Sequence, residues 1–452
     1  MTERLQKVMD YIETHREEYI ELLLELCRQP SLAGTGEGIP EMIELVQRKM
    51  RGIGVEPVLI PTDGNPVIYA EVKGESERIY GCYDHYDVQP VDPIELWDSD
   101  PFAAEIRDGV IYARGVADNK DGLATRLCAI DAWLKTNGSL PCGVKLIFEG
   151  EEEIGSPNLA AFAEAHPELL ECDGYVWEGG EKEEGGPCEV TMGVKGLLYV
   201  QMKVKTAQGD AHSMYAAIAP NPAWRLVQAL ASMKDAEGNI TIDGFYDGII
   251  PPSESDLKYL DSDPFDEEAI RSYLGIERFT GGSTRRELLQ SLYFKPTCNI
   301  CGLTSGYQGD GSKTVLPCEA SVKIDFRLVP GMDPRRIFNL VREHLDRHGF
   351  TDVELIWESG EPAFRSDMEA PFTKAVVSAL EKLYNRPVAL KVSSGGTSPM
   401  YTFCHKTNIP AGMFGASSAS ANIHAPNEHL SCDAFIEMIR INCAVMEELS
   451  QY

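Results

Sequence analysis

Residues 78–89 read RIYGCYDHYDVQ. Ile79, Tyr80, Cys82 and Tyr83 make the near-continuous apolar run of a strand buried in an α/β sheet. Asp84, His85 and Asp87 then stand where such a strand should carry Val or Ile. Burying an ion without a partner costs several kcal/mol. The strand must therefore deliver its last residues to a site that supplies partners.

The flanking sequence repeats this alternation. PVLIP (57–61), PVIYAEVKG (66–74) and GVIYARG (109–115) read as strands, and GLATRLCAIDAWLKTNG (122–138) as a helix stopped by Gly138. GVKLIFEGEEE (143–153) is an apolar strand ending in acid; NLAAFAEAH (158–166) is a short helix and GYVWEGG (174–180) another strand. The N-terminal stretch reads as two helices, the second carrying Tyr19, Ile20, Leu22, Leu23, Leu24 and Leu26. Strands alternating with helices predict an α/β domain with a mostly parallel sheet.

Near residue 193 the pattern changes. LLYVQMKVKTA (197–207) alternates as a half-exposed antiparallel strand does, and leads into the helix NPAWRLVQALASMKD (221–235). After a polar stretch to about Gly311 come the strand ASVKIDFRLVP (320–330), the helix DPRRIFNLVREHLDRHG (333–349) and the strand TDVELIWES (351–359). Beyond Pro362 the first pattern returns, with the helix PFTKAVVSALEKLY (371–384), the strands PVALKV (387–392) and IPAGMFG (409–415), and the helix DAFIEMIRINCAVMEEL (433–449). The expected organisation is a catalytic domain in two pieces, 1–193 and 363–452, with an α+β lid domain, 194–362, inserted between them.

Composition narrows the function. The chain has 452 residues, too many for one ordinary core, and a hydrophobic fraction of 43%. Its formal net charge of -30 argues against nucleic acid or an anionic membrane as partner and suits cation binding. No window has the length and apolarity of a membrane span, and the charged N-terminal stretch has no apolar signal region. Twelve cysteines without a disulfide framework point to a reducing, cytoplasmic setting. Cys298 and Cys301 form a single CxxC, which lacks the second pair of a structural zinc site.

Five polar stretches fall at the carboxyl ends of these strands: His85 with Asp87, Asp118 in ARGVADNKDG, the cluster EGEEEIGS (149–156), Glu178 in YVWEGG, and His424 in NIHAPNEH. Ligands of open α/β sheets bind beyond the carboxyl ends of strands, so these side chains would converge. Alone, each has an ordinary reading: a surface histidine, a solvated acidic turn, a helix cap. Together they fit a site for two divalent cations roughly 3.5 Å apart. Imidazole and carboxylate donors without thiolate suit Zn²⁺ first, with Mn²⁺ or Co²⁺ as alternatives. One carboxylate must bridge the pair, and another must stay off the metals to take a proton from water.

HYDVQP, WDSDPFAAEIRDGVIYARGVADNKDG, FEGEEEIGS and HAPNEH resemble the M20 metallopeptidase family, most of all its carnosinase-like dipeptidase branch. The likeness runs from about residue 10 to 450. It implies a two-metal catalytic domain and an inserted lid that commonly dimerises. By this resemblance His85, Asp118, Glu153, Glu178 and His424 hold the metals, with Asp118 as the bridge. Asp87 orients His85 and Glu152 is the general base. His212, in GDAHSMYAA, matches a lid histidine that reaches into the partner subunit's site. Arg327 and Asn299 on the lid, and Gly395, Gly396 and Thr397 in SSGGTSP (393–399), match substrate-binding positions.

Two departures stand out. Carnosinase-like members commonly have Asp at the position of Glu178, where deacylases and carboxypeptidases have Glu; relatives often begin the Gly-Gly loop with Arg, here Ser393. The resemblance implies hydrolysis of an amide bond beside a free carboxylate, by a dipeptidase or exopeptidase. An N-acyl-amino-acid deacylase of acetylornithine or succinyl-diaminopimelate type is the alternative, and a non-catalytic cation-binding protein a remote one.

Overall fold

The computed structural model describes residues 1–180, 182, 189–415, 417, 418 and 420–452. Its main sheet has eight strands, in the spatial order Val58–Ile60, Val67–Val72, Gly143–Glu149, Ile79–His85, Gly174–Trp177, Ala411–Met413, Glu189–Thr191 and Ala389–Lys391. The four central strands run parallel, while antiparallel pairings flank them on both sides. The register pairs His85 with Glu149 and Cys82 with Val176. The carboxyl ends of three strands therefore meet beside His85.

Both faces of the sheet are covered. Tyr80, Cys82, Val144, Leu146 and Phe148 point into one core with the helices Glu3–Thr14, Arg16–Arg28, Lys120–Asn137, Pro371–Tyr384 and Cys432–Leu449. Tyr83, Ile147, Tyr175 and Trp177 point the other way, against Phe162, Met400 and Phe403. The two sets alternate along each strand, as side chains on a pleated strand must. The helix Ile39–Gly52, outside the elements expected from sequence, buries Ile39, Met42, Ile43, Leu45, Val46 and Met50 on one face.

A second core belongs to a four-stranded antiparallel sheet, ordered Asn299–Ser305, Glu319–Leu328, Gly196–Lys205 and Glu354–Glu361. Leu198, Val200 and Met202 alternate with more exposed residues on Gly196–Lys205. They pack with Leu226 and Ala229 of the helix Pro222–Met233 and Ile337 and Val341 of Pro334–Arg347. The polar stretch before Asn299 holds three short helices. Two of them, Glu254–Tyr259 and Arg285–Phe294, return to the first core, where Leu260, Leu289 and Tyr293 are buried. No helix among the described residues is long and apolar enough to cross a membrane.

Candidate active site

The three charges of the opening stretch find three different partners. Asp84 points beneath the sheet end to the buried guanidinium of Arg126, with both contacts at 3.3 Å. Burial still pushes its carboxyl up to about 6, although Arg126 works against that shift. His85 donates from Nδ1 to the Asp87 carbonyl at 3.0 Å, with Asp87 Oδ1 3.4 Å away. Its Nε2 is left facing the cluster, 3.1 Å from Asp118 Oδ1 and 3.2 Å from Glu178 Oε2. Asp87 also accepts the backbone N–H groups of Glu152 and Glu153 at 3.3 and 3.0 Å. One carboxylate thus sets both the imidazole and the acidic turn, a common outer-shell task.

Asp118 lies at the centre. Its Oδ1 faces His85, and its Oδ2 lies 2.9 Å from His424 Nε2. His424 is also 3.1 Å from Glu153 Oε2. The side chains therefore form two half-sites, His85 with Glu178 and His424 with Glu153, that share Asp118. The helix that follows Asp118 takes Asn119 as its N-cap residue, so Asp118 is not used as a cap. Glu152, His85 and Glu178 also present atoms within 4.8 Å of one another, as do His85, Asp118 and Glu153.

The electrostatics are those of a crowded anionic cluster. Burial pushes Glu152 up to about 7, with Asp118, Glu153 and Asp87 adding to it and His85 opposing. Burial, then Glu152, raises Glu178 well above the usual carboxylate range. Burial opposes charge on His85, yet hydrogen bonds to Asp118 and Asp87 raise it well above the ordinary imidazole value. Asp118 and Glu153 draw His424 up to about 10. Glu153 Oε1 and Glu178 Oε2 are buried and have no hydrogen-bond partner. Two imidazoles, a shared carboxylate and two carboxylates with such unpaired oxygens fit a pair of divalent cations.

Three positioning residues lay outside the sequence reading. Gln89 Nε2 donates to the Glu153 carbonyl and Oε2 at 3.1 and 3.0 Å. Ser398 Oγ donates to Glu178 Oε1 at 2.9 Å. Glu428, fully buried, accepts from Arg114 Nη1 (2.6 Å) and from the N–H groups of Gly115 (2.9 Å), Ala117 (2.9 Å) and Asp118 (3.1 Å). It ties the Asp118 loop to the His424 loop, where Asn422, His424 and Asn427 adopt left-handed backbone conformations. Gln89 and Glu428 both lie inside the quoted motifs HYDVQP and HAPNEH.

The expected substrate residues divide. Arg327 reaches from the strand Glu319–Leu328 of the antiparallel sheet to Thr397, donating from Nη1 to Oγ1 at 2.8 Å, and its Nε lies 3.3 Å from Asp325. Gly395 and Gly396 precede Thr397, but the Gly396 N–H already donates to Ser394 Oγ at 3.0 Å. Ser393 is buried and donates to the Ser394 carbonyl at 3.0 Å. His212 is exposed, and its Nδ1 accepts from the Met214 N–H at 3.1 Å. Asn299 is exposed at the start of an edge strand, its amide 3.8 Å from Cys301 Sγ. Among the described residues neither His212 nor Asn299 makes a hydrogen bond or ion pair to the cluster. Cys298 and Cys301 are free thiols, with Cys301 3.5 Å from Asp325.

The chain is similar to known proteins along nearly its whole length. The chain is 26% identical over 478 residues to Beta-Ala-His dipeptidase of Rattus norvegicus, covering 99% of this chain and 96% of the relative. It is 26% identical over 431 residues to Cys-Gly metallodipeptidase DUG1 of Saccharomyces cerevisiae, covering 89% and 86%. The crystal structure of the M20 family metallo-carboxypeptidase Sso-CP2 from Sulfolobus solfataricus matches with a TM-score of 0.90 and 35% identity, covering 96% of this chain and 100% of that one. Human carnosine dipeptidase 1 shares the fold, with a TM-score of 0.81 at 24% identity, covering 99% of each chain. The model of Peptidase family M20/M25/M40 matches residues 81–448, a span that holds every residue of the two half-sites, and the chain belongs to that family.

Proposed function

We propose that the protein is a metal-dependent dipeptidase, or a closely related exopeptidase, that hydrolyses the amide bond next to a free carboxylate. The observation that carries this is Asp118, with one oxygen turned to each of two histidine–carboxylate half-sites and Glu152 beside them. Glu153 with His424 and Glu178 with His85 would hold the two cations, Zn²⁺ foremost and Mn²⁺ or Co²⁺ as alternatives. When bound, such cations lower the pKa of a water towards neutral and polarise the scissile carbonyl.

The chain's own residues do the rest. Glu152 takes a proton from the attacking water and returns it to the leaving amine. Arg327 and Thr397 hold the free carboxylate, with Gly395, Gly396 and Asn299 completing the subsite; the Arg327–Thr397 contact across the two units supports this. His212 donates to the carbonyl oxygen as charge develops there, a contribution of about 3–4 kcal/mol for one donor.

The units 1–193 with 363–452, and 194–362, are proposed as catalytic domain and lid; the separate core of the antiparallel sheet supports them. We place His212 in the site of a second subunit. Its exposure, together with Ile300 and Leu303 on the lid's edge strand and Trp224 and Val227 on the helix Pro222–Met233, supports a homodimer through the lid. Subunits carrying His212→Ala mixed with subunits carrying Glu152→Gln should regain activity; verified heterodimers with none would place His212 in its own subunit's site. The eleven described cysteines are all free, which supports a cytoplasmic setting.

The relatives reported above are named as peptidases, so a deacylase is not favoured. The test is a paired rate. Protein reconstituted with Zn²⁺ or Mn²⁺ is given dipeptides and the matching N-acetyl amino acids. Dipeptides should be cleaved faster; faster deacetylation would overturn the peptidase assignment.

A further inference from the structure

Loop 393–399 carries the Gly-Gly pair, but its Ser398 is buried beneath it, between Trp177 and Glu178. The serine oxygen accepts from the indole Nε1–H of Trp177 at 2.5 Å and donates to Glu178 Oε1 at 2.9 Å. An indole nitrogen can only donate. Ser398 Oγ is thereby fixed as its acceptor, and the hydroxyl hydrogen is left for the carboxylate. The indole cannot turn away: it stacks on Tyr83 with centroids 4.0 Å apart and meets Phe403 edge-on at 5.5 Å.

This relay distinguishes the two oxygens of Glu178. Oε1 is anchored by Ser398. Oε2 lies 3.2 Å from His85 Nε2 and has no hydrogen-bond partner. We propose that Ser398 is a positioning residue that presents Glu178 to the His85-side cation through one oxygen, and that the relay Trp177–Ser398–Glu178 sets the affinity of that half-site. This rests on the reading of Glu178 as a metal ligand. A glutamate loses more rotamer freedom on ordering than a shorter aspartate. The fixed hydroxyl removes that freedom before the cation arrives, and partners of this kind commonly govern 10–100-fold in metal affinity.

The test is Mn²⁺ binding to the metal-free, intact chain, measured by competition with a chromophoric chelator so that two steps are resolved. Ser398→Ala should weaken one step by about 10–100-fold and leave the other unchanged. Glu178→Gln should weaken the same step at least as much. Ser398→Thr and Ser398→Val are matched in shape and differ in the hydroxyl; Thr should restore the step to within a few-fold, and Val should not. This pair decides the matter if the alanine variant does not fold. Loss of a step in Glu178→Gln with wild-type binding in Ser398→Ala or Ser398→Val would overturn the role of Ser398. Two intact steps in Glu178→Gln would instead overturn Glu178 as a ligand, and the inference with it. Equal weakening of both steps in the Val variant would mean a merely structural serine.

Discussion

Glu428→Gln should cost the metal-free protein about 3–5 kcal/mol, because a buried ion pair loses one charge and the other remains. The figure follows from the four donors around this carboxylate. One oxygen accepts from Arg114 Nη1 and Gly115 N, the other from Ala117 N and Asp118 N. A glutamine offers one oxygen and one NH₂, and either orientation turns the NH₂ towards two donors. Turned to Ala117 and Asp118, it leaves two buried N–H groups unmet, at about 1–3 kcal/mol each. Turned to Arg114 and Gly115, it sets a donor against a buried guanidinium. Arg114 loses its counter-charge in both cases. Its other hydrogen bonds go to the carbonyls of Pro90 at 3.1 Å and Ala425 at 3.5 Å, and its guanidinium lies 5.3 Å from the centre of the Trp97 ring; none of these carries a net charge. These costs overlap, so they are not summed; a surface substitution would stay within about 0.5 kcal/mol.

The assay is urea unfolding without metal, since bound cations add their own stability. Trp97, Trp133 and Trp177 report the unit that holds the site, and Trp224 and Trp357 the unit of the antiparallel sheet. Only the first transition should move, and exchange of the Ala117 and Asp118 amides should speed up in step. A shift below about 1 kcal/mol, or unchanged amide protection, would refute the role given to Glu428.

Glu152→Gln should keep both cations and lower kcat by at least about 10²–10⁴-fold; kcat within tenfold of wild type would remove Glu152 as the base. Arg327→Ala should raise KM for dipeptides by about 10–100-fold, the range of one charged hydrogen bond. C-terminally amidated dipeptides should not feel that change, and an equal effect on both would end the carboxylate role. Burial pushes Glu361 up to about 7, against about 4.3 unfolded. The native state then holds a proton that the unfolded chain has lost, so stability should fall by about 3 kcal/mol as pH rises from about 4 to 7. Glu361→Gln should flatten this slope in urea titrations at pH 5 and 8, and an unchanged slope would exclude Glu361 as its source.

The parts of this site legible in sequence are those that break a strand's apolar rule. His85 ends, and Asp87 follows, a strand whose other residues belong inside, and Glu178 follows the buried run Gly174–Trp177. Their types conflict with their positions, and only a site at the sheet end resolves the conflict. Gln89, Ser398 and Glu428 make no such break. A polar residue in a loop needs no explanation until its partner is known, and those partners lie 64, 220 and more than 300 positions away. The helices Glu254–Tyr259 and Arg285–Phe294 were hidden for a related reason. They are short, and they bury Leu260, Leu289 and Tyr293 against a core whose sequence lies elsewhere in the chain.

The same reasoning separates the two halves of the active site. Residues held by the main sheet are fixed before substrate arrives: Asp87 sets His85 and the acidic turn, and Glu428 sets Asp118 against the His424 loop. Residues on the antiparallel-sheet unit are not held in this way. Arg327 meets Thr397, but His212 contacts its own backbone and Asn299 lies on an exposed edge. A cluster this rich in carboxylates must be rigid to be bound by cations rather than dispersed by repulsion, so its supports are buried. On the function proposed above, His212 and Asn299 would meet substrate only on closure or in a second subunit, and such groups have no such requirement. They can stay in water, where their sequence carries no sign of their role beyond resemblance.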